Sequence, residues 1–287
     1  MKHKAAFVGL ATWDLIYVVD RLPSIDEKIV ASDAAMNAGG PATNAAVTFS
    51  HLGGEAVLLS AVGSGAMARA ISDDLRSHHV RLHDIAPTSD FRPPVSSAFL
   101  TAGSASRALV SLNASKVAET ALWNREEILE GCELLLVDGH YMDAAIRAAR
   151  WASAAGIPVV LDGGSWKEGT EELLEFCDMV IASSRFHPPG CSGKSHSVEY
   201  LTGAGIRRIA ITDGAEPIVV RDENGGALVA TYRSRGIDTT GAGDVFHGAF
   251  CYYFLEGCDF RQALSEAARV AAVKCDHLGA RSWFTAV

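Results

Sequence analysis

The chain has 287 residues, 48% of them hydrophobic, and a net charge of −9 at neutral pH. That length can bury a large core and suits one α/β domain over residues 1–287 better than two independent domains. The acidic balance argues against nucleic acid, whose backbone needs clustered Lys and Arg, but leaves small anionic ligands open because a site can be locally positive on an acidic protein.

From the N-terminus, Met1-Lys2-His3-Lys4 and the apolar run behind it faintly mimic a leader peptide. Asp14 interrupts that run, so residues 5–10 read as a first strand. Asp14 follows the turn at 9–13 and can face the crevice where open α/β sheets collect ligands; a turn aspartate is the plainer role. Residues 15–31 alternate apolar and polar side chains without a helix and predict short antiparallel strands carrying Asp26 and Lys28.

Next comes Ala38-Gly39-Gly40-Pro41-Ala42-Thr43-Asn44-Ala45-Ala46. Gly39 and Gly40 let a ligand approach the backbone closely, and Asn44 offers both a donor and an acceptor; Gly-Gly-Pro is also ordinary turn punctuation. A helix is predicted over 45–52, a strand over 56–62 and a helix over 66–78. The joint Gly63-Ser64-Gly65-Ala66-Met67-Ala68 satisfies a dinucleotide fingerprint. It follows a later strand than the first, however, and residues 85–94 form a proline-containing loop where an acidic strand end would be needed. His78, His79 and His83 end the helical run and read as a solvated face rather than a metal site.

Residues 97–111 again alternate without a helix and carry Arg107. Beyond them, strands over 134–137, 159–161, 179–182 and 208–212 alternate with helices over 144–155 and 171–176, and a last helix covers 261–274. This alternation predicts a mostly parallel sheet covered on both faces. Gly193-Lys194-Ser195 looks like the end of a P-loop, but the loop's first glycine would fall at Pro188, so the donors are missing. The six cysteines show no CxxC pair and read as free thiols in a reducing cytosol. No stretch approaches the ~20 apolar residues of a membrane span, and a cytoplasmic protein without membrane or nucleic-acid partners is expected.

The most informative segment is Ile237-Asp238-Thr239-Thr240-Gly241-Ala242-Gly243-Asp244-Val245-Phe246-His247-Gly248. Three small residues open an apolar helical run, and the bare N–H groups of such a helix start bind anions. Asp244 is planted inside that anion site. A carboxylate beside a phosphate is unfavourable, and a general base for a substrate hydroxyl explains its presence. A glycine-rich helix cap whose aspartate complements the helix dipole is the plainer alternative.

This segment resembles the C-terminal signature of the ribokinase-like (PfkB) carbohydrate kinases, and residues 38–46 resemble that family's N-terminal signature. The resemblance covers essentially the whole chain. It implies a ribokinase-like α/β fold: a mostly parallel central sheet flanked by helices, with a small β-sheet lid from segments near 15–35 and 95–113. It implies ATP-dependent phosphorylation of a primary hydroxyl on a small sugar, with Asp244 as base and Gly241, Ala242 and Gly243 as the anion hole. Asp14, Gly39, Gly40 and Asn44 would hold the sugar; Asp26 and Arg107 stand where ketohexokinase-like members contact it, and Lys28 and Asn113 are further candidates.

For the nucleotide the resemblance implies Thr212 and Gly214 as a Thr-x-Gly phosphate element, together with Thr240, Gly241 and Gly243, and an adenine-side segment over 271–279 ending at Gly279. Asp238 matches a position linked to a monovalent cation such as K+, although an Asx turn would use the same side chain. Mg2+ is expected with ATP. The chain departs from the family where an Asn-x-x-Glu element would organise that metal, having Ser183-Ser184-Arg185-Phe186-His187 instead.

Asp26, Arg107 and Lys274-Cys275 lean toward the ketohexokinase and sulfofructose-kinase side of the family, while Pro41 weakens a simple fructose assignment. A sulfosugar would need cations, for which Lys28, Arg107 and His140 are available. A nucleoside kinase, a non-catalytic sugar-binding protein and an NAD-dependent dehydrogenase are the alternatives, and a homodimer through the lid is expected.

Overall fold

Short runs of wholly apolar residues can only be strands buried on both faces, and the chain supplies helices to cover them. The computed structural model describes residues 2–87, 92–101, 107–112 and 123–287. In chain order the first half runs β1 (Lys4–Val8), β2 (Thr12–Val19), β3 (Asp33–Gly39), α1 (Pro41–His51), β4 (Glu55–Ser60), α2 (Ala66–Ser77), β5 (Val80–Asp84), β6 (Val95–Thr101) and β7 (Arg107–Ser111). Then follow α3 (Arg125–Leu129), β8 (Leu134–Val137), α4 (Met142–Ala154), β9 (Val159–Gly163), α5 (Thr170–Leu174), β10 (Met179–Ser183) and α6 (Gly193–Gly203). The chain closes with β11 (Arg208–Asp213), β12 (Glu216–Asp222), β13 (Gly225–Val229), α7 (Ala242–Leu255), α8 (Phe260–Cys275) and a 3-10 turn over Ser282–Ala286.

Nine strands form the main sheet in the order β13-β12-β11-β10-β9-β8-β1-β4-β5. Seven of them, β11 through β5 in that order, are parallel, and β12 and β13 add an antiparallel edge. Side chains alternate between two cores. Ala5 and Phe7 of β1 join α1, α7 and α8 on one face, whereas Ala6 and Val8 join α4 and its neighbours on the other. Strand order reverses on either side of β1, and the crevice opens at that reversal.

The strands and helices predicted for the main sheet and its covering layers form, with ends displaced by a residue or two except at α1, which starts four residues earlier, at Pro41. The sequence did not predict β5, α3, α6, β12, β13 or the closing 3-10 turn. β5 (Val-Arg-Leu-His-Asp) lies at the sheet edge, so it needs no continuous apolar run, and His83 belongs to it rather than to the helix. His78 is not a purely solvated residue; its ring meets Phe284 edge-on at 5.4 Å. The β12–β13 hairpin and α6 also escaped, the latter because only Ser197 and Leu201 of that helix are buried.

A separate four-stranded sheet has the order β3-β2-β6-β7. The reading of residues 15–31 as paired strands needs correction: the second strand is β3, and residues 20–32 are the link. Asp33-Ala34-Ala35-Met36-Asn37-Ala38-Gly39 is poor in β-formers, so pairing with β2 imposes the strand. The register places Asn37, Asp14, Ser96 and Ser111 in one row on one face. The opposite face carries Met36, Leu15 and Val110 in one row and Tyr17 stacked on Phe99 in the next.

Helix α1 packs directly on α7. The close approach depends on Gly248, where an added Cβ would run into the carbonyl oxygen of Ala45 and the side chain of Thr48. Gly248→Val is expected to push the two helices apart and cost about 2 kcal/mol or more, as overpacked cores do. Urea unfolding of the two proteins measures it; an unchanged midpoint would refute the packing argument.

Candidate active site

The crevice is tied together by Asp138 at the end of β8. Its Oδ2 accepts from the N–H of Leu10 (2.9 Å) and of Ala42 (3.1 Å), joining the exit of β1 to the start of α1. Its Oδ1 accepts from the His140 N–H at 2.8 Å, with the His140 ring nitrogen 3.2 Å away. Burial pushes the Asp138 pKa up, but His140 and the N–H donors outweigh it and leave the group below its ordinary value.

The Gly39-Gly40 pair earns its place sterically. A Cβ on Gly39 would overlap the Asp14 carboxylate, and Gly40, at φ 100°, has the Leu10 carbonyl oxygen where its Cβ would be. Asp14 accepts from Thr12 Oγ1 (2.6 Å) and Ser96 Oγ (2.8 Å). Burial raises its pKa, opposed by the two hydroxyls and by Arg281.

Asn44 bridges the far side. Its Nδ2 donates to Asp244 Oδ2 at 2.8 Å, and its Oδ1 accepts from Arg281 Nη1 at 3.0 Å. Both ends of the amide are thus engaged, which fixes its orientation. Arg281 also donates to the Ala38 carbonyl at 2.7 Å and stands 3.6 Å from Asp74. Burial raises the Asp244 pKa; Asn44 and His247 oppose the rise, and the charges of Asp14 and Asp138 add to it.

Asp244 lies in the first turn of α7, whose cap Gly241 has φ 72°. The first bond of the helix ladder runs from the Val245 N–H to the Gly241 carbonyl at 3.0 Å, so the amides of Gly243 and Asp244 precede it. Asp238 anchors the approach: its Oδ1 accepts from the Thr240 N–H (2.8 Å) and its Oδ2 from the Gly279 N–H (2.9 Å), with Lys274 Nζ 3.1 Å away. One turn beyond Asp244, the His247 ring nitrogens face the carbonyls of Gly243 (2.7 Å) and Ile181 (3.1 Å), with Asp162 at 3.4 Å.

Further along the crevice, Thr212 is the next-to-last residue of β11 and its hydroxyl donates to the Ala182 carbonyl at 3.3 Å. Asp213 accepts from Ser184 Oγ and pairs with Lys194 Nζ, each at 2.7 Å, before exposed Gly214 turns the chain. Lys194, which mimicked a P-loop lysine, is therefore occupied in an ion pair. The dinucleotide-like turn at Gly63 is also spoken for: Asp84 accepts from the N–H groups of Val62 (3.0 Å) and Gly63 (2.9 Å), a place a pyrophosphate would need.

The structure thus brings Asp14, Gly39, Gly40, Asn44, Gly241 and Asp244 together, with Asp238 and Gly279 behind the loop. It does not bring Asp26 and Lys28 there. Both are exposed on the link between β2 and β3, without a hydrogen bond to that cluster among the described residues. The side chain of Arg107 and all of Asn113 lie outside the described residues. Arg281, Asp138, Asp162 and His247 were not predicted. His247 had one available signal, its spacing of one helical turn from Gly243; Asp138 and Asp162 had another, as acids just past apolar strands.

The family model described as pfkB family carbohydrate kinase matches residues 2–285. Among characterised proteins, the ribokinase of Bacillus subtilis is 21% identical over 275 residues, covering 96% of this chain and 93% of the relative. The deoxyribokinase of Salmonella typhi is 23% identical over 303 residues, covering 98% and 95%. The structure of Arabidopsis thaliana ribokinase complexed with ribose and ATP matches with a TM-score of 0.80 at 22% identity, covering 97% of this chain and 94% of that one. The dehydrogenase reading does not survive the family match.

Burial raises the Asp162 carboxyl from its ordinary 3.8 to about 6, with His247 opposing the rise. Between those values the folded state holds a proton that the unfolded chain has released, so stability falls as pH rises through that window. The fall is on the order of 3 kcal/mol for this group alone. Urea unfolding across the window should show it in the wild type, and Asp162→Asn should flatten that part of the slope; an equal slope in the variant would refute the assignment.

Proposed function

The chain belongs to the pfkB family of carbohydrate kinases, and on that premise we propose that it transfers the γ-phosphoryl group of ATP to a primary hydroxyl of a small free sugar. One observation carries the reading: a half-buried carboxylate, Asp244, is held by Asn44 within the first turn of a helix, where the Gly243 and Asp244 amides precede the hydrogen-bond ladder. Asp244 takes the hydroxyl proton as the oxygen attacks phosphorus. The amides of Gly241 and Gly243, and that of Ala242 once it leaves the Thr239 carbonyl 3.3 Å away, stabilise charge on the phosphoryl group in transfer, with the helix dipole behind them. Arg281 positions Asn44, and Asn44 positions Asp244.

Asp14, with the Gly39-Gly40 backbone, binds sugar hydroxyls. Its carboxylate, already oriented by Thr12 and Ser96, keeps acceptor capacity for a vicinal diol. Thr212, Gly214 and Thr240 line the nucleotide side, and Mg2+ enters as part of the Mg–ATP substrate. The small sheet acts as a lid, presenting Asp14 and Ser96 to the sugar and excluding water that would hydrolyse ATP.

For the sugar we place a ribose-like pentose ahead of a ketohexose. Two considerations support that order: the relatives include ribokinase and deoxyribokinase, and Asp26, one of the features behind the ketohexose leaning, lies exposed away from the crevice. A coupled ADP-release assay with Mg–ATP across pentoses, ketohexoses, sulfofructose and nucleosides tests it. Ribose or deoxyribose should give the highest kcat/KM, and preference for a ketohexose or a nucleoside would overturn the order. Asp244→Asn should lower kcat about a thousandfold. In the wild type, kcat/KM should climb with pH through a point above the ordinary carboxylate range, because burial raises Asp244 and only its ionised form accepts the proton. Full activity in Asp244→Asn would refute the base.

The outer face of the lid carries Leu15, Tyr17, Phe99 and the exposed Met36 (64%) and Val110 (68%). We place a homodimer contact on that face, since an apolar sheet face of this kind is otherwise a liability. Sedimentation should show a dimer, and Met36→Lys with Val110→Lys a monomer; a monomeric wild type would dismiss the contact.

A further inference from the structure

Lys274, in the last turn of α8, is completely buried, and so is the carboxylate of Asp238 that faces it. Its Nζ stands 3.1 Å from Asp238 Oδ2 and donates to the Asp238 carbonyl oxygen at 2.7 Å. The C-terminal end of a helix favours a cation, and the backbone adds a further tie through the Asp238 N–H to the Cys275 carbonyl at 3.2 Å. Taking an ammonium and a carboxylate out of water costs several kcal/mol per ion, so an apolar pair would suit stability equally well here. Burial pushes the Lys274 pKa down, and the charges of Asp238 and, more weakly, Asp244 hold it up.

The position of the pair suggests what it does. Asp238 leads directly into the amides that receive the phosphoryl group, and its Oδ1 fixes the Thr240 N–H. An uncompensated charge on Asp238 would weaken the positive field of that loop. A bound monovalent ion is one way to compensate it, but the residues present do not fit one. The Asp238 carbonyl is taken by Lys274, and its two carboxylate oxygens by the Thr240 and Gly279 N–H groups and by Lys274.

We propose that Lys274 is a tethered monovalent cation: its ammonium neutralises Asp238 and holds the anion-hole loop, so that phosphoryl transfer by this chain needs no potassium. The proposal rests on the kinase reading above. Lys274 is thus a positioning residue, acting through Asp238 and the backbone of residues 238–241.

The test compares KCl, NaCl, NH4Cl and choline chloride at constant ionic strength. Wild-type kcat should agree within about twofold across the four salts. Lys274→Ala, which empties the ammonium's place beside Asp238, should lose on the order of 100-fold in kcat and regain much of it in KCl or NH4Cl but not in choline chloride. Lys274→Met, which fills the gap without charge, should lose activity that no salt restores. Thermal unfolding without ATP or sugar gives a second readout: only Lys274→Ala should melt higher in KCl than in choline chloride. If no sugar turns over, the kinase reading fails, while the melting series still decides the cation. Potassium activation of the wild type by severalfold overturns the proposal, and so does a Lys274→Ala protein indifferent to the salt supplied. Should Lys274→Ala fail to fold, the wild-type salt series and Lys274→Met decide it.

Discussion

Four aspartates, Asp14, Asp138, Asp162 and Asp244, stand around one crevice, and their mutual repulsion is the constraint the rest of the site answers. Each carboxylate has its own compensation. Two hydroxyls serve Asp14, backbone N–H groups and His140 serve Asp138, His247 serves Asp162, and Asn44 serves Asp244. Compensation is deliberately unequal. Asp138 is satisfied enough to ionise despite complete burial, as a structural latch must, whereas Asp244 is left with a raised proton affinity. The same chemical group, placed in different donor environments, holds its proton more weakly in one case and more strongly in the other.

Packing precision carries this electrostatic arrangement. Asn44 meets Asp244 because α1 and α7 approach at Gly248, and Asp14 reaches the crevice because Gly39 has no side chain to exclude it. Arg281, arriving from the end of the chain, closes the circuit by gripping both Asn44 and the Ala38 carbonyl. Segments from β2, the β3–α1 turn, the start of α7 and the stretch after α8 thus share one hydrogen-bond network. A disturbance in any of them reaches Asp244, so helix packing and the placement of that carboxylate are coupled.

Two glycine-rich turns that resemble nucleotide loops show the other side of the same rule. The amides after β4 are open in sequence but already accept Asp84 as their anion, and Lys194 is drawn to Asp213. At the start of α7 the two nearby carboxylates have other partners, Asp244 in the Asn44 amide and Asp238 in Lys274. Whether a helix start binds an anion depends on who else has claimed it.

Local chemistry determined what could be read from the sequence alone. Apolar runs and helical periodicity located six of the seven parallel strands and most of the covering helices, whereas the edge strand β5 and the weakly buried α6 lack such a pattern. The Gly-Gly-Pro turn and the Gly-Ala-Gly start of α7 were legible for the same reason: backbone freedom and bare amides are properties of a few adjacent residues. Tertiary structure alone decided the partners. Arg281 lies 237 residues from the Asn44 it orients, and Lys274 lies 36 from Asp238. β3 became a strand only by pairing with β2, and Asp26 and Lys28 went to an exposed link rather than to the crevice. Such pairings carry no local pattern, because they are set by which segments the folded sheet happens to bring within hydrogen-bonding distance.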